Sequence, residues 1–216
     1  MIIDLHTHTS AGSRCGYQTP VELIAQAKRI GLDAVCLTEH DWVWPATEVE
    51  AMINKHDFLV IGGAEVSTNL GDVLVFGVHQ SVREVFRIEE LRALVDEEGG
   101  IMLVAHPFRG LLADGLTEED ASAWPVFRWC DGLEVFNGRS FAREASFACA
   151  VAQRTGRLGS GGSDAHAIGF LGQAVTVFER PIRGELEFIA ELRAGRFHAE
   201  HRALGKTYSV REGCCG

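Results

Sequence analysis

Short apolar runs rich in Val, Ile and Leu recur from one end of the chain to the other. Runs of this length and composition are typical of strands that are buried on both faces. We interpret eight runs as strands: Ile2–Leu5, Ala34–Thr38, Phe58–Ala64, Val73–Val78, Ile101–Ala105, Leu133–Phe136, Leu158–Ser160 and Ala174–Phe178. The pattern therefore predicts a sheet whose two faces are both covered.

Helical patterns fill most of the gaps between these runs. The stretch Thr19-Pro20-Val21-Glu22 combines an N-cap, a proline at the first helical position and a capping-box glutamate, and Gly31 ends that helix. Three further helices are predicted over Arg87–Glu98, Phe141–Arg154 and Glu185–Arg193. A hairpin is predicted at Thr68-Asn69-Leu70-Gly71. This alternation of strands and helices predicts an α/β fold, either a barrel or an open doubly wound sheet.

Composition and charge narrow the classes of protein. The 216 residues, 46% of them hydrophobic and without a linker or repeat, predict one domain over residues 1–216 with a short flexible tail at about 205–216. The net charge of −10 disfavours a nucleic-acid partner. Six cysteines without paired spacing predict a cytoplasmic protein, and neither a signal peptide nor a membrane span is indicated.

Side chains able to bind a metal follow almost every predicted strand. They are His6, His8, Glu39, His40, Asp41, Glu65, His106, Glu134, Asn137, Asp164 and His166. In a barrel of parallel strands the carboxyl ends converge on one mouth, where active sites lie. An open sheet would bring together only the ligands near its switch point. The distribution therefore favours the barrel, with a metal site at its mouth.

The spacing within this set supports a metal site. His6 and His8 are two residues apart, as are Asp164 and His166, so each pair points to one side of an extended backbone. Imidazole nitrogen and carboxylate oxygen suit zinc, manganese or iron. A single histidine pair is often coincidental, but five histidines at strand ends are not easily explained by chance. Glu134 is either a ligand or a support for one.

The motifs DLHTHTS, LTEHD, GAEVS, AHPFR, EVFNGR and GSDAH, in this order, resemble the PHP (polymerase and histidinol phosphatase) superfamily. The resemblance extends from Met1 to about Ala199. It implies a distorted seven-stranded (β/α) barrel with two or three divalent metals at its mouth, usually hydrolysing phosphate esters. It also implies a first metal on His6, His8, Glu65 and Asp164, a second on Glu65 and His106, and a third on His40 and His166.

The chain departs from that pattern at two positions. Where many members of the superfamily have a histidine or aspartate for the third metal, this chain has Arg14, which cannot bind a cation. Where some phosphatases have a histidine in the hairpin, it has Asp72. We expect Arg14 to replace the third cation and to bind phosphate. A metal-free His40 would then act as general acid.

Two metals held about 3.5–4 Å apart predict attack on phosphorus by a metal-bridging hydroxide. Arg109, Asn137 and Arg139 follow metal-bearing strands and are candidates for substrate binding, although both arginines also fit solvated loops. The predicted substrate is a small-molecule phosphomonoester or a nucleotide. The alternatives are a nuclease resembling a 3'-5' exonuclease and a metal-binding regulator without turnover. The sequence leaves the oligomeric state open.

Overall fold

The computed structural model describes residues 1–112, 115–209 and 213–215. Its strands are β1 Ile2–Asp4, β2 Ala34–His40, β3 Leu59–Thr68, β4 Gly71–Phe76, β5 Ile101–Val104, β6 Gly132–Asn137, β7 Leu158–Gly162, β8 Ala174–Phe178, β9 Phe197–His201, β10 Lys206–Ser209 and β11 Gly213–Cys215. Its α-helices are α1 Pro20–Arg29, α2 Ala46–His56, α3 Ile88–Glu98, α4 Glu118–Ser122, α5 Ala142–Thr155 and α6 Glu185–Arg193. Strands and helices therefore alternate along most of the chain, as predicted.

The strands form one sheet, in the order β11-β10-β9-β8-β1-β2-β3-β4-β5-β6-β7. The strands β1, β2, β3, β5, β6 and β7 all run in the same direction, and β4 is antiparallel to both of its neighbours. The sheet curls until the end of β7 meets β1, where the Asp164 N–H donates to the His6 carbonyl at 2.8 Å. The predicted distorted TIM-like barrel of seven strands is thus confirmed, with β4 supplying its one reversed strand.

Alternate residues of the strands separate the barrel interior from its outer face. Ala34 and Cys36 of β2 belong to the interior core, whereas Val35 and Leu37 pack outward with α1 and α2. At the end of the barrel where the parallel strands begin, α6 closes the interior with apolar side chains that include Phe188. The opposite end, where the parallel strands finish, is left for polar residues.

The four predicted helices begin and end largely where the sequence indicates, whereas α2 and α4 were not predicted. Thr19 caps α1 in a capping box with Glu22, and the helix stops before Gly31, which has a φ of 75°. The predicted helices at residues 87–98 and 141–154 each begin one residue later than expected. Among the described residues, we find no helix with the length and apolar character needed to cross a membrane.

The structure differs from the sequence prediction in the tail. Residues expected to be flexible form β10 and β11, which pair with each other and, through β10, with β9. Tyr208 of β10 is buried against Gly159 of β7, where an added Cβ would lie 2.3 Å from the ring. A single buried tyrosine amid polar residues gives little strand signal, which explains the error. The part of the predicted tail at residues 210–212 and 216 lies outside the described residues.

Candidate metal centre

The structure brings all of the predicted metal ligands to one end of the barrel: His6, His8, His40, Glu65, His106, Asp164 and His166. The rings of His6 and His106, which come from opposite sides of the barrel, are 5.6 Å apart. Glu65 lies inside β3 rather than after it, because the hairpin with β4 makes that strand longer than predicted. The cluster thus depends on closure of the sheet.

Unusual backbone conformations turn several of these side chains into the mouth. Among the described residues other than glycine, only four have a positive φ, and three of them follow barrel strands at the mouth. These are Asp41 at 51°, His106 at 29° and Asp164 at 53°. Such conformations are costly and concentrate at functional sites. Asp41 supports the site indirectly, since its carboxylate accepts from the Ser67 N–H at 2.9 Å.

Glu65 lies at the centre of the cluster and is almost fully buried. Its Oε2 atom is 3.3 Å from His6 Nε2 and 3.2 Å from His8 Nε2. The same oxygen is 3.1 Å from His40 Nδ1, and Oε1 is 2.8 Å from His106 Nε2. One carboxylate therefore contacts four histidines, and its two oxygens face different sets of them.

Asp164 completes the cluster on the side opposite His106. Its Oδ1 atom is 3.3 Å from His8 Nε2, 3.6 Å from His6 Nε2 and 3.2 Å from His166 Nδ1. The Nε2 atoms of His6 and His8 are themselves 3.0 Å apart. Two imidazole nitrogens at this distance cannot both be unprotonated without repulsion, so either a proton or a cation must lie between them.

The donor set fits a divalent cation. Glu65 Oε2 and Asp164 Oδ1 are both buried and accept no hydrogen bond from the described residues. Burial alone would raise the pKa of each carboxyl, but the charge of His6 and the contacts of neighbouring histidines lower both well below the usual values. Burial would likewise lower the pKa of His6, yet Glu134, Glu65 and Asp164 raise it well above its usual value. The site therefore favours positive charge, which dications would supply.

Two polar groups behind the cluster fix which nitrogen His6 and His8 present. Glu134 Oε1 is 3.0 Å from His6 Nδ1, and Ser13 Oγ is 3.3 Å from His8 Nδ1. Both histidines thus direct Nε2 into the cluster, as metal-binding histidines do when a second group holds the other nitrogen. Gly162 makes room for this arrangement, because a Cβ there would lie 2.5 Å from the Cβ of His6.

Two residues that the sequence interpretation did not assign also belong to the site. Buried Glu39 accepts from the Ser13 hydroxyl at 2.5 Å and so holds the group that orients His8. Asp72 lies with Glu65 and His106 in a group whose candidate ligand atoms are within 4.8 Å of one another. The hairpin register could have placed Asp72 at the site. Ser67 pairs with Asp72, and Ser67 lies on the same face of β3 as Glu65.

The candidate substrate residues are placed differently from one another. Arg109 Nη2 is 2.5 Å from Asp164 Oδ2 and 3.2 Å from the Asn137 side-chain oxygen, so it reaches the cluster. Arg139 Nη1 is 4.0 Å from Asp164 Oδ2 and remains half-exposed. Arg14 is exposed and forms no ion pair within the described part of the chain. The structure therefore brings Arg109, Asn137 and Arg139 to the mouth and leaves Arg14 in solvent.

Comparison with known proteins agrees with this description. Residues 4–112 match the family model described as the PHP domain, and residues 143–197 match the one described as PHP-associated. A protein of Methanocaldococcus jannaschii, the uncharacterized protein MJ1587, is 24% identical over 149 residues, which cover 63% of this chain and 82% of that protein. The family match thus spans the motifs that carry the predicted ligands up to His106.

Solved structures share the fold. A two-domain protein from Bacteroides vulgatus, containing a predicted PHP-like metal-dependent phosphoesterase, superposes with a TM-score of 0.69 and 22% identity, covering 93% of this chain and 64% of that one. Endonuclease Q, solved with a 27-mer duplex that carries an abasic lesion at the active site, gives a TM-score of 0.53 and 14% identity, covering 90% and 57%. At these identities the likeness is one of fold.

Proposed function

The chain belongs to the PHP domain family, and on that premise we propose that it is a metal-dependent phosphoesterase that hydrolyses a small phosphate ester at the barrel mouth. The observation that carries the proposal is the pair of buried carboxylate oxygens, Glu65 Oε2 and Asp164 Oδ1, which accept no hydrogen bond from any described residue and face histidine nitrogens. Oxygen and imidazole ligands without cysteine are typical of catalytic rather than closed structural sites.

We assign the ligands of two cations from the contacts around Glu65. The first cation would be held by His6, His8, Glu65 and Asp164. The Nε2 atoms of the two histidines lie within 3.6 Å of each other and of one oxygen of each carboxylate. The second would be held by Glu65, His106 and Asp72. Glu65 offers Oε2 to the first group and Oε1 to His106, as a bridging carboxylate would. Zinc, manganese and iron all suit these ligands.

A third cation would lie beside His40 and His166. His8, His40 and His166 offer ligand atoms within 4.8 Å of one another, and the rings of His8 and His40 are 4.4 Å apart. When bound at these sites, divalent cations supply Lewis acidity that activates water and neutralises phosphoryl charge. Without a third cation, His40 keeps the role of general acid that the sequence suggests, since its side chain is 40% exposed.

The remaining site residues position the substrate. Arg139 is half-exposed beside Asp164 and presents a planar set of donors for phosphate oxygens. Arg109 is partly committed to Asp164 and Asn137, so its first role is to hold that aspartate in place. Arg14 lies on the exposed loop before the cluster and would reach only substrate that extends out of the mouth.

The proposal is tested by metal content and turnover together. Purified protein is analysed for zinc, manganese and iron per chain, then stripped with chelator and reloaded with each metal in turn. Each form is assayed on phosphomonoesters, a nucleotide diester and single-stranded DNA. We expect about two metals per chain and turnover of a phosphate ester that disappears on chelation and returns on reloading.

A metal-binding protein without turnover on any of these substrates would contradict the proposal. Preferred turnover of single-stranded DNA would instead identify a nuclease. An Asp72→Asn variant separates the two proposed metal groups, because it removes charge beside Glu65 and His106 and leaves the contacts of His8 and Asp164 intact. We expect it to lose the second metal while retaining the first.

A further inference from the structure

The metal cluster opens on one side into a hollow of about 360 Å³. This volume falls within the range of roughly 300–1,000 Å³ that is usual for small-molecule sites. The hollow is lined by Cys15, Tyr17, Arg139, Asp164, His166 and Phe170. Two proposed metal ligands thus form its inner wall, and two aromatic side chains belong to its outer part.

Both aromatic side chains are unusually exposed for their size. Tyr17 is 83% exposed and Phe170 is 47% exposed. Large apolar side chains exposed together beside a polar site commonly mark a binding surface. Their position at the mouth therefore suggests that a flat apolar group of the substrate covers them.

The loop that carries Tyr17 is fixed to the strands of the metal site. The Tyr17 N–H donates to the His166 carbonyl at 2.8 Å. The Gln18 side chain donates to the carbonyls of His8 and Ala165, at 2.7 and 2.8 Å. A ring bound on Tyr17 would consequently lie at a set distance from the metal ligands. Such a connection suits recognition of one part of a substrate whose other part reacts.

We propose that this hollow is a nucleotide-binding subsite, in which Tyr17 and Phe170 stack the base and Arg139 contacts the phosphate. The proposal rests on the proposed phosphoesterase function and adds to it the class of substrate. Stacking on aromatic side chains needs no particular base, because every base has a π-face. A guanidinium beside the phosphate adds planar donors.

The charges favour a free nucleotide over a nucleic-acid strand. The chain carries a net charge of −10, which opposes a long polyanion. At the hollow itself, however, Arg139 supplies local positive charge. The hollow thus combines room for one base with a cation for a phosphate.

The experiment compares AMP with ribose 5-phosphate, which differ only by the base. Both are measured with manganese-loaded protein, for turnover and for binding by calorimetry. We expect AMP to be preferred by on the order of ten- to a hundredfold, the range that base stacking on aromatic residues provides. Tyr17→Ala and Phe170→Ala should each reduce that ratio several-fold. Leu186→Ala, an exposed apolar residue on α6 at the other end of the barrel, is the control and should leave the ratio unchanged.

The outcomes separate this subsite from the proposed function. Equal or undetectable binding of the two compounds overturns the subsite, whether or not either is hydrolysed. Preferential binding of AMP that depends on Tyr17 supports the subsite even if neither compound is hydrolysed, because the phosphoesterase proposal is tested separately by turnover on the wider set of phosphate esters. A short single-stranded oligonucleotide that competes better than AMP would overturn the assignment to a free nucleotide.

Discussion

The two ends of the barrel are built from the same strands, but one buries apolar side chains and the other buries polar ones. At the end closed by α6, Phe188 packs edge-on against Phe76 at a centroid distance of 5.2 Å, and Phe178 and Phe197 continue the apolar cluster. At the mouth, the interior instead holds histidines and carboxylates that are almost fully excluded from water. Burial stabilises the first end, whereas at the second it imposes a desolvation cost.

This contrast indicates that the closed end of the barrel contributes mainly to stability and the mouth mainly to chemistry. The apolar end needs no ligand, because aromatic packing completes it. The mouth retains carboxylate oxygens that accept no hydrogen bond within the described part of the chain, and a His6 whose pKa is raised by three neighbouring carboxylates. We therefore expect substitutions at the mouth to change metal binding and turnover, and substitutions at the closed end to change the free energy of unfolding.

The largest effect is expected for Glu65→Gln. The amide keeps the shape of the side chain but loses the charge that would face two cations, and Lewis-acid stabilisation of the transition state is worth several kcal/mol. We expect loss of at least one metal and a fall in kcat of roughly a thousandfold or more. Metal analysis and steady-state kinetics measure both. Glu50→Gln, at an exposed position, is the matched control, and full metal content with normal turnover in the Glu65 variant would refute the bridging role.

At the opposite end, Phe188→Ala tests the apolar closure. The side chain is fully buried and contacts two other phenylalanine rings, so its removal should lower the free energy of unfolding by about 3–5 kcal/mol. Denaturant unfolding measures the change. Leu186→Ala, on the same helix but exposed, should change stability by less than about 0.5 kcal/mol. A Phe188 variant with native stability and reduced metal content would reverse the proposed division between the two ends.

A smaller effect at the mouth is expected for Glu134→Gln. Oε1 faces His6 Nδ1, and Oε2 accepts from the His106 N–H at 2.8 Å. Whichever oxygen becomes the amide nitrogen, it faces one of these groups unfavourably. Loss of such a supporting carboxylate typically weakens metal affinity by about 10- to 100-fold. Competition with a chelator measures the affinity, and an unchanged value would show that Glu134 does not orient His6.

The next comparison uses a buried histidine outside the mouth. His201 on β9 packs edge-on against Phe136, and both of its ring nitrogens lack hydrogen bonds from described residues. Burial lowers its pKa, so the unfolded chain binds the proton more readily than the folded one. His201 therefore lowers the free energy of unfolding as the pH drops below about 6.5, by at most ~1.4 kcal/mol per pH unit.

His201→Leu should therefore flatten the pH dependence of unfolding below neutral pH. Unfolding curves from pH 7.5 down to 5.5, compared with those of the native chain, measure the difference. A curve as steep as that of the native chain would mean that His201 is not the group responsible. Such a result would attribute the acid sensitivity of stability to the mouth alone.

The smallest effect is expected for Arg14→Ala. An exposed guanidinium in solvent contributes little to a charged contact, so KM for the preferred phosphate ester should rise by less than about fivefold. Arg14→Lys should recover most of the loss if charge is the cause. A large fall in kcat would instead support the direct catalytic role that the sequence suggests for Arg14.

The clustering of the candidate ligands could be predicted from the sequence because these residues follow regular elements. Residues that follow parallel barrel strands all lie at the same mouth of the barrel. The sequence alone could therefore predict that His6, His106 and His166 lie close together. The fold was predictable for the same reason, since the apolar runs and the capped helices alternate along the chain. The reversed strand β4 was indicated by its hairpin.

Contacts made by loops and by long polar side chains could not be predicted in this way. Nothing in the local pattern indicates that Arg109 contacts Asp164, 55 residues later, or that Glu39 holds Ser13. The strands β9 and β10 also escaped prediction, because their few apolar residues, such as Phe197 and Tyr208, are buried by the barrel wall. Their strand structure depends on tertiary packing, which overrides weak local preference.

The bond between the Asp164 N–H and the His6 carbonyl has a consequence for how the metal site is acquired. These residues are separated by most of the chain, so the ends of a very long loop must meet before the first cation has its ligands. Contacts of such high sequence separation form late and slow folding. A growing chain on the ribosome would therefore lack the complete site until β7 has emerged. Metal uptake would then report that β7 has joined β1.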